Sequence, residues 1–214
     1  MRLLLTGFEP FAGDVINPSA ELVAALAARP PEGVTLATAI LPVAFARLDA
    51  ALDAAIAAAR PDVVLALGLA GGRAEISVER VAINLADARI PDNDGAQPLD
   101  QPVVAGGAAA YFSTLPVKAM AAAIRAAGAP AQVSHTAGTF GCNHVFYRAA
   151  HLAATHHPGM RTGFIHLPYL PQQAAEHRGA PSMALATMLA GLRAAIATMV
   201  AAPAEPRVAE GTIA

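Results

Sequence analysis

Hydrophobic and polar positions along this chain follow two different periods in turn. Within residues 45–60, apolar side chains recur every fourth position, at Leu48, Leu52 and Ile56, which predicts an amphipathic helix. A proline ends this pattern, and residues 63–67 then form an unbroken apolar run. Such a run between helices is typical of a strand that is buried on both faces. The alternation predicts an α/β layer fold with a largely parallel sheet.

The same two patterns predict the remaining elements. We expect further strands at residues 3–5, 34–41, 75–85, 131–135 and 161–168, and further helices at residues 20–28, 113–127 and 145–155 and after Pro181. The polar stretch at residues 86–107 is long for a loop in a compact domain, and such loops usually have a function or act as lids. No repeat or linker interrupts the pattern, so we expect a single domain over residues 1–214.

Composition limits the classes of function. With 55% hydrophobic and 14% charged residues among 214, the chain suits a compact protein with a sizeable core. A formal charge of −2 gives no electrostatic reason to expect nucleic acid as a partner. The one cysteine excludes an intramolecular disulfide and fits a reducing, cytoplasmic compartment. The apolar stretch at residues 183–203 has Arg193 at its middle, so we expect a packed helix there and no membrane partner.

Cys142 stands in the sequence GTFGCNH, where a predicted strand gives way to a predicted helix. Gly138 and Gly141 precede it, so the backbone there is free to bend sharply and to approach a ligand closely. A helix that begins near Cys142 brings free N–H groups and a positive dipole end beside the sulfur. Both favour the thiolate, so we expect a reactive nucleophile with a pKa below the free value of about 8.5. The alternative for a lone cysteine is a small buried hydrophobic residue.

A thiol nucleophile needs a base, and the base needs a group that orients it. Among the seven histidines, His166 ends the most apolar strand of the second half and is the best candidate for the base. His135 also ends a predicted strand and remains a rival. Glu79 is the candidate orienting acid, because a carboxylate on a buried strand must find a partner. The alternative for Glu79 is a salt bridge to Arg80 or Arg89.

Other chemistries have weaker support in the sequence. Cys142, His144 and His151 are not at zinc-ligand spacing, and no HExxH occurs, so we expect no metal. No Gly-x-Ser-x-Gly nucleophile turn is present. The loop from Gly68 to Arg73 lacks the glycine spacing of a dinucleotide fingerprint, so we expect no cofactor.

Several longer motifs resemble those of one known family. They are TGFEPF with Asn17-Pro18-Ser19, AGGR followed by VERVAIN, DARIPDNDGAQPLD, AAYFSTLPVKAM, GTFGCNH, GFIHLPYLP and PSM, and they extend from the first predicted strand to the last helix. On these motifs the chain resembles the family of pyroglutamyl peptidase I, also called pyrrolidone-carboxylate peptidase. The resemblance implies a three-layer α/β/α sandwich around a mostly parallel twisted sheet, a cytoplasmic location, and a homo-oligomer that is a tetramer or dimer.

The resemblance also implies an activity and a site. Members of this family are cysteine peptidases that remove an N-terminal pyroglutamyl residue from peptides. The resemblance puts a catalytic triad, acting through a thioester, at Glu79, Cys142 and His166. It also puts Arg89 near the active site. The residues that match substrate-binding positions are Phe8, Phe11, Asn17, Leu69, Arg89, Ile90, Phe140 and Gly141.

Two of these residues depart from the family pattern. Leu69 stands where the family usually has glutamine, and a hydrogen bond worth about 0.5–1.5 kcal/mol is lost if that contact uses the side-chain amide. Gly141 stands in place of a valine, which removes apolar wall from the pocket. Two alternative functions remain open. One is a nucleoside phosphorylase-like enzyme, with Gly71-Gly72-Arg73 as a weak phosphate site, and the other is a non-catalytic pyroglutamate-binding homologue.

Overall fold

A computed structural model describes residues 1–211 and contains eight strands and six helices in that range. The strands are β1 (Arg2–Phe8), β2 (Thr35–Leu41), β3 (Val63–Leu69), β4 (Ile76–Glu79), β5 (Val81–Ile83), β6 (Ala110–Phe112), β7 (Ala131–Ser134) and β8 (Arg161–Leu167). The helices are α1 (Pro18–Ala28), α2 (Phe45–Ala59), α3 (Val117–Ala126), α4 (Gly141–Thr155), α5 (Pro171–Glu176) and α6 (Leu185–Ala201).

Six of the strands form one sheet in the order β2-β1-β3-β8-β4-β7. The first four run parallel to one another, whereas β4 is antiparallel to β8 and parallel to β7. Strands β5 and β6 form a separate antiparallel pair. The carboxyl ends of β3 and β8 therefore lie side by side, next to a strand that runs the other way.

Helices cover both faces of this sheet. One apolar core contains Leu3 and Leu5 of β1 and packs against α1, α3 and α6. The other contains Leu4 and packs against α2 and α4, through Leu48, Leu52 and Phe146 among others. Successive residues of a buried strand face opposite sides, so β1 contributes to both cores. This α/β/α layering around a mostly parallel sheet confirms the predicted fold class. Among residues 1–211, no helix combines the length and hydropathy needed to cross a bilayer.

Several element boundaries differ from the sequence predictions. The extended segment predicted over residues 75–85 divides at Arg80 into two strands that belong to different sheets. The helix predicted from residue 113 begins only at Val117. Residues 110–112, before the predicted helix, pair as a strand that the sequence patterns did not predict. Ser113 and Thr114 direct their hydroxyls to the Thr162 carbonyl, which holds them outside the helix. The loop after β8 contains the short helix α5, which the sequence patterns did not predict.

The long polar loop at residues 86–107 is fixed to the body of the protein. Asp92 is buried, and one carboxylate oxygen accepts hydrogen bonds from the Asp94 and Ala96 N–H groups. The other oxygen accepts from the Phe45 N–H at 2.7 Å. This last bond satisfies a free donor at the start of α2, whose own N-cap residue is an alanine. Asp92 thus organises the loop and caps a helix at the same time.

Candidate active site

The candidate catalytic residues meet at the carboxyl ends of β3 and β8. His166 lies near the end of β8 and pairs in the ladder with Gly68 of β3. Cys142 lies in the first turn of α4. Both side chains line one cavity of about 330 Å³, together with Phe11, Leu69, Ala70, Arg73, Asp87, Arg89, Ile90, Phe140 and the segment from Ala137 to Thr139. The fold therefore brings the predicted nucleophile and the predicted base to the same opening.

His166 and Glu79 form a buried hydrogen-bonded pair. The Nδ1 atom of His166 lies 2.7 Å from Oε1 of Glu79. The exposed fraction is 4% for His166 and 0% for Glu79. A carboxylate can only accept hydrogen bonds, so Nδ1 carries the proton and Nε2 is left as the acceptor. Glu79 thus holds the imidazole in the tautomer that a general base requires.

Glu79 also forms an ion pair, but with Arg73 rather than with Arg80 or Arg89. Nη1 of Arg73 donates to the same Oε1 atom at 2.7 Å. Arg73 belongs to the glycine-rich loop that follows β3, for which a weak phosphate site was one interpretation of the sequence. In the structure its guanidinium is already engaged by a carboxylate, so this loop does not offer a free cation for phosphate.

The turn that carries Cys142 combines one close approach of the backbone with the start of a helix. A Cβ atom on Gly68 would lie 2.7 Å from Cys142 Sγ, so a glycine on β3 makes room for the sulfur. Helix α4 begins at Gly141, and its N-cap residue Phe140 makes no side-chain hydrogen bond to the first turn. The first N–H groups of a helix have no partner within the helix. Donors near the sulfur are therefore available to a ligand.

The protonation behaviour of Cys142 differs from the sequence-based expectation. Burial, with the negative charge of Glu79, raises the pKa of the Cys142 thiol to about 12, although the Arg73 charge acts in the opposite direction. Burial also lowers the pKa of His166, against the effect of its bond to Glu79. Both shifts favour the neutral thiol and the neutral imidazole in the resting site. The predicted thiolate at neutral pH is not what this environment favours.

The other histidines considered as partners lie outside the cavity. His135 is exposed, and its Nε2 lies 3.4 Å from the Glu210 carbonyl oxygen. His144 directs its Nε2 to Asp49 of α2 at 2.8 Å, away from the sulfur. His166 is thus the one histidine among residues 1–211 that lines the cavity with Cys142.

The predicted substrate-binding residues form two adjoining spaces beside Cys142. A small, wholly apolar pocket is lined by Phe8, Phe11, Asn17, Val43, Leu69, Phe140, Gly141 and Cys142. Arg89 and Ile90 line the larger cavity, and Phe11, Leu69 and Phe140 border both spaces. The rings of Phe11 and Phe140 stack with centroids 6.1 Å apart. The structure therefore gathers all eight predicted residues around the sulfur.

Asn17 differs from the other pocket residues because its amide is already bonded. Its Oδ1 accepts from the Ser19 N–H at 3.0 Å and from the Ser19 hydroxyl at 2.8 Å. Its Nδ2 donates to the Glu9 carbonyl at 3.0 Å. Asn17 caps α1 and, through Glu9, ties down the loop that follows Phe8 and carries Phe11. Its polar atoms therefore hold neighbouring residues of the pocket wall in place and are not free to bind a ligand.

Two residues that support the site were not identified from the sequence in these roles. Arg73 was noted only as part of a glycine-rich loop. Asn143, next to the nucleophile, is fully buried, and its amide bonds to the Ile83 N–H, the Ile83 carbonyl and the Leu85 carbonyl. These bonds fix the start of α4 to β5. The signal that could have identified Asn143 from the sequence is an asparagine directly after the predicted nucleophile, at the start of an apolar helix.

No group of three or more metal-ligating side chains occurs within residues 1–211.

Comparison with known proteins identifies the class to which this fold and site belong. The family model for pyroglutamyl peptidases matches residues 1–202. The chain is 54% identical over 211 residues to pyrrolidone-carboxylate peptidase 1 of Ralstonia nicotianae, which covers 99% of this chain and 98% of that protein. It is 53% identical to pyrrolidone-carboxylate peptidase of Streptomyces coelicolor, with 98% of each chain covered.

Solved structures give the same result. The crystal structure of pyroglutamyl peptidase I from Bacillus amyloliquefaciens superposes with a TM-score of 0.90 at 44% identity, covering 94% of this chain and 97% of that one. A mutant pyrrolidone carboxyl peptidase from Pyrococcus furiosus has a TM-score of 0.90 at 38% identity, with coverage of 94% and 99%. The chain therefore belongs to the pyroglutamyl peptidase family of cysteine exopeptidases. This confirms the resemblance and removes the nucleoside phosphorylase alternative.

Proposed function

We propose that this protein removes the N-terminal pyroglutamyl residue from peptides through a Cys142–His166–Glu79 triad. The observation that carries the proposal is the buried His166–Glu79 hydrogen bond of 2.7 Å, beside a cavity that His166 shares with the only cysteine. Nucleophile, base and orienting acid are the three parts that covalent acyl transfer requires. Membership of a cysteine exopeptidase family supports the same assignment.

The proposed reaction begins with a neutral pair. Nε2 of His166 accepts the thiol proton as Cys142 Sγ forms a bond to the pyroglutamyl carbonyl carbon. The negative charge that develops on the carbonyl oxygen is met by backbone N–H groups at the start of α4. The carbon–nitrogen bond then breaks, and His166 gives its proton to the leaving amine. A thioester between Cys142 and the pyroglutamyl group remains.

Hydrolysis completes the cycle. His166 accepts a proton from water as the water oxygen attacks the thioester carbon. The carbon–sulfur bond breaks, the proton returns to the sulfur, and free pyroglutamic acid leaves. Glu79 keeps its bond to Nδ1 throughout and stabilises the imidazolium that forms twice in each cycle.

The pocket chemistry supports a lactam as the recognised group. A pyroglutamyl ring is uncharged and carries no free α-amino group, so an apolar pocket holds its methylene groups without burying a charge. Its lactam N–H and C=O need hydrogen-bond partners at the edge of the pocket. We assign the walls to Phe8, Phe11, Leu69, Phe140 and Gly141. Ile90 and Arg89 lie toward the larger cavity, and we assign them to the part of the substrate nearer the scissile bond.

A fluorogenic pyroglutamyl amide tests the activity. We expect wild type to release the fluorophore and Cys142→Ala to be inactive. The corresponding prolyl amide is the control substrate and should not be cleaved, because its free, charged ring amine would have to be buried in the apolar pocket. Equal rates in wild type and Cys142→Ala would overturn the assignment. Calorimetric binding of pyroglutamate without turnover in wild type would instead support the non-catalytic alternative.

We also propose a cellular location, an oligomeric state and a domain organisation for this protein. The single cysteine and the family resemblance support a cytoplasmic protein, and the resemblance supports a homo-oligomer, tetramer or dimer. Two apolar cores on opposite faces of one sheet support a single domain over residues 1–214. Light scattering of the purified protein measures the assembly directly.

A further inference from the structure

We propose that Arg73 is a positioning residue of this site, which fixes the Glu79 carboxylate for His166 and ties it to the segment that leads to Cys142. The inference rests on the proposed peptidase function. It extends the triad by one residue that acts through Glu79 and need not touch the substrate.

The carboxylate of Glu79 is held at a single oxygen atom. Oε1 accepts from His166 Nδ1 and from Arg73 Nη1, each at 2.7 Å. Oε2 is buried and has no hydrogen-bond partner among residues 1–211. The bond to His166 would therefore be the only fixed contact of the carboxylate without Arg73. A carboxylate held by one hydrogen bond in place of two is less firmly fixed, and so is the orientation of the imidazole that it holds.

Arg73 makes a second set of contacts on the other side. Its Nη2 donates to the Thr136 carbonyl at 3.0 Å, and its Nη1 lies 3.4 Å from the Ser134 hydroxyl. Residues 135–140 connect β7 to the helix that begins beside Cys142. The planar guanidinium therefore bridges the orienting acid and the segment that leads to the nucleophile. A lysine ammonium has one nitrogen and cannot hold the same two partners in this geometry.

The glycine-rich sequence before Arg73 accounts for its position. Gly71 lies against the ring of Tyr169, where any side chain would collide. Gly72 has φ +90°, a conformation that favours glycine. The Arg73 N–H donates to the Ala70 carbonyl at 3.2 Å and closes the turn. The loop therefore folds back toward the sheet and directs its arginine at Glu79.

The charge of Arg73 adds an effect that a purely structural residue would not have. The charged and titratable groups nearest His166 are Glu79 and Arg73, and Cys142, Asp87 and Arg89 line the same cavity. The positive charge of Arg73 lowers the pKa of His166 and that of Cys142. Removal of this charge should raise both pKa values. Because the base must be neutral to accept a proton, the acid limb of kcat/KM should then move to higher pH.

The experiment compares Arg73→Gln with Arg73→Lys and with Arg29→Met, an exposed arginine at the end of α1. Rates are measured against pH on the fluorogenic pyroglutamyl amide, with the folded fraction of each variant measured by circular dichroism. We expect Arg73→Gln to lower kcat about 10- to 100-fold with a small change in KM, the effect of losing a hydrogen bond to a charged group. Its acid limb should lie at higher pH. Arg73→Lys should restore the wild-type limb with partial recovery of kcat, and Arg29→Met should match wild type.

The outcomes separate this inference from the proposed function. Wild type without turnover would refute the function itself. The role of Arg73 would be overturned if wild type is active and Arg73→Gln shows the same kcat and the same pH for the acid limb of kcat/KM. If Arg73→Gln does not fold, Arg73→Lys decides, because a wild-type kcat there would show that the bridge to Thr136 is not needed.

Discussion

Glu79 reaches His166 diagonally across the one antiparallel junction of the main sheet. The residue opposite His166 in the ladder is Ser77, and Glu79 lies two positions further along β4. Residues two apart on a strand share a face, so Ser77 and Glu79 both point toward the imidazole side. Diagonal neighbours across a strand pair are within reach of long side chains. The reversal of β4 relative to β8 is thus what brings a carboxylate to Nδ1.

Removal of the Glu79 charge should disable the base while the fold is kept. In Glu79→Gln an amide replaces the carboxylate and can donate to Nδ1, which favours the wrong tautomer of His166. We expect kcat to fall roughly 1,000- to 10,000-fold, as for loss of the orienting acid in a serine-protease triad. Steady-state kinetics on the pyroglutamyl amide measure this. A loss below tenfold in folded Glu79→Gln would contradict the assigned role.

The pH dependence of thiol alkylation tests which effect dominates at Cys142. The helix start favours the thiolate, whereas burial and Glu79 raise the pKa of the thiol to about 12. We therefore expect the iodoacetamide rate of the native protein to be still rising above pH 10. The urea-unfolded protein is the control and should level off near the ordinary thiol pKa of about 8.5. A native rate that levels off near neutral pH would show that the helix terminus dominates.

The same environment sets the acid limb of catalysis. Burial lowers the pKa of His166 from its ordinary value of 6.5. A base with a lowered pKa stays neutral to lower pH, so activity is lost only as the pH falls through that lowered value. We expect the acid limb of kcat/KM to have its midpoint below pH 6.5. A midpoint above this value would mean that the bond to Glu79 outweighs burial.

Asn143 should contribute more to stability than an ordinary asparagine. In Asn143→Ala the Ile83 N–H and the Ile83 and Leu85 carbonyls lose a buried partner. We expect a loss of about 2–4 kcal/mol in the free energy of unfolding. The matched control is Asn93→Ala, because Asn93 is exposed and water can replace its hydrogen bonds. Urea unfolding of both variants measures the difference, and equal losses would contradict the role of Asn143.

Replacement of two glycines near the nucleophile by alanine should change the stability of the protein in opposite directions. At Gly141 a Cβ atom would lie 3.6 Å from Leu48 Cδ1 and 4.0 Å from Phe8 Cε1, which is ordinary contact. We expect Gly141→Ala to stabilise the protein by about 0.4–1 kcal/mol, because it lowers the entropy of the unfolded chain. Gly138 has φ +77°, so Gly138→Ala should destabilise by about 1 kcal/mol or more. Thermal unfolding checks both signs, and a shared sign would refute this account.

Local patterns were sufficient for most elements of the fold. The spacing of Leu48, Leu52 and Ile56 predicted α2, and the unbroken run after it predicted β3. The direction of β4 was not predictable in this way, because a short apolar strand has the same pattern whichever way it runs. The start of α3 was misplaced because hydroxyl contacts of Ser113 and Thr114 with a distant carbonyl override local propensity.

The candidate site was only partly predictable for the same reason. Cys142 and His166 have local signals, namely a glycine-framed helix start and the end of an apolar strand. Whether Glu79 belongs with them depends on which strands are neighbours, and the residues alone left a salt bridge as an alternative. The contact between Arg73 and Glu79 depends on a loop that folds back on the sheet. Contacts of this kind follow from strand order and loop shape, which no single stretch of sequence specifies.

The close approach of Gly68 to the sulfur limits how this catalytic centre can be redesigned. An added methyl group at position 68 would meet both Cys142 Sγ and Phe164 Cζ, at 2.7 and 2.8 Å. Strand residue and nucleophile therefore form a steric pair, although 74 positions separate them in the chain. A mutant library at residue 142 can therefore yield only those nucleophiles that fit against the backbone of Gly68, which has no side chain. Any side chain at position 68 would also meet the Phe164 ring, whatever residue stands at 142, so directed evolution toward a different nucleophile should keep Gly68 and vary position 142.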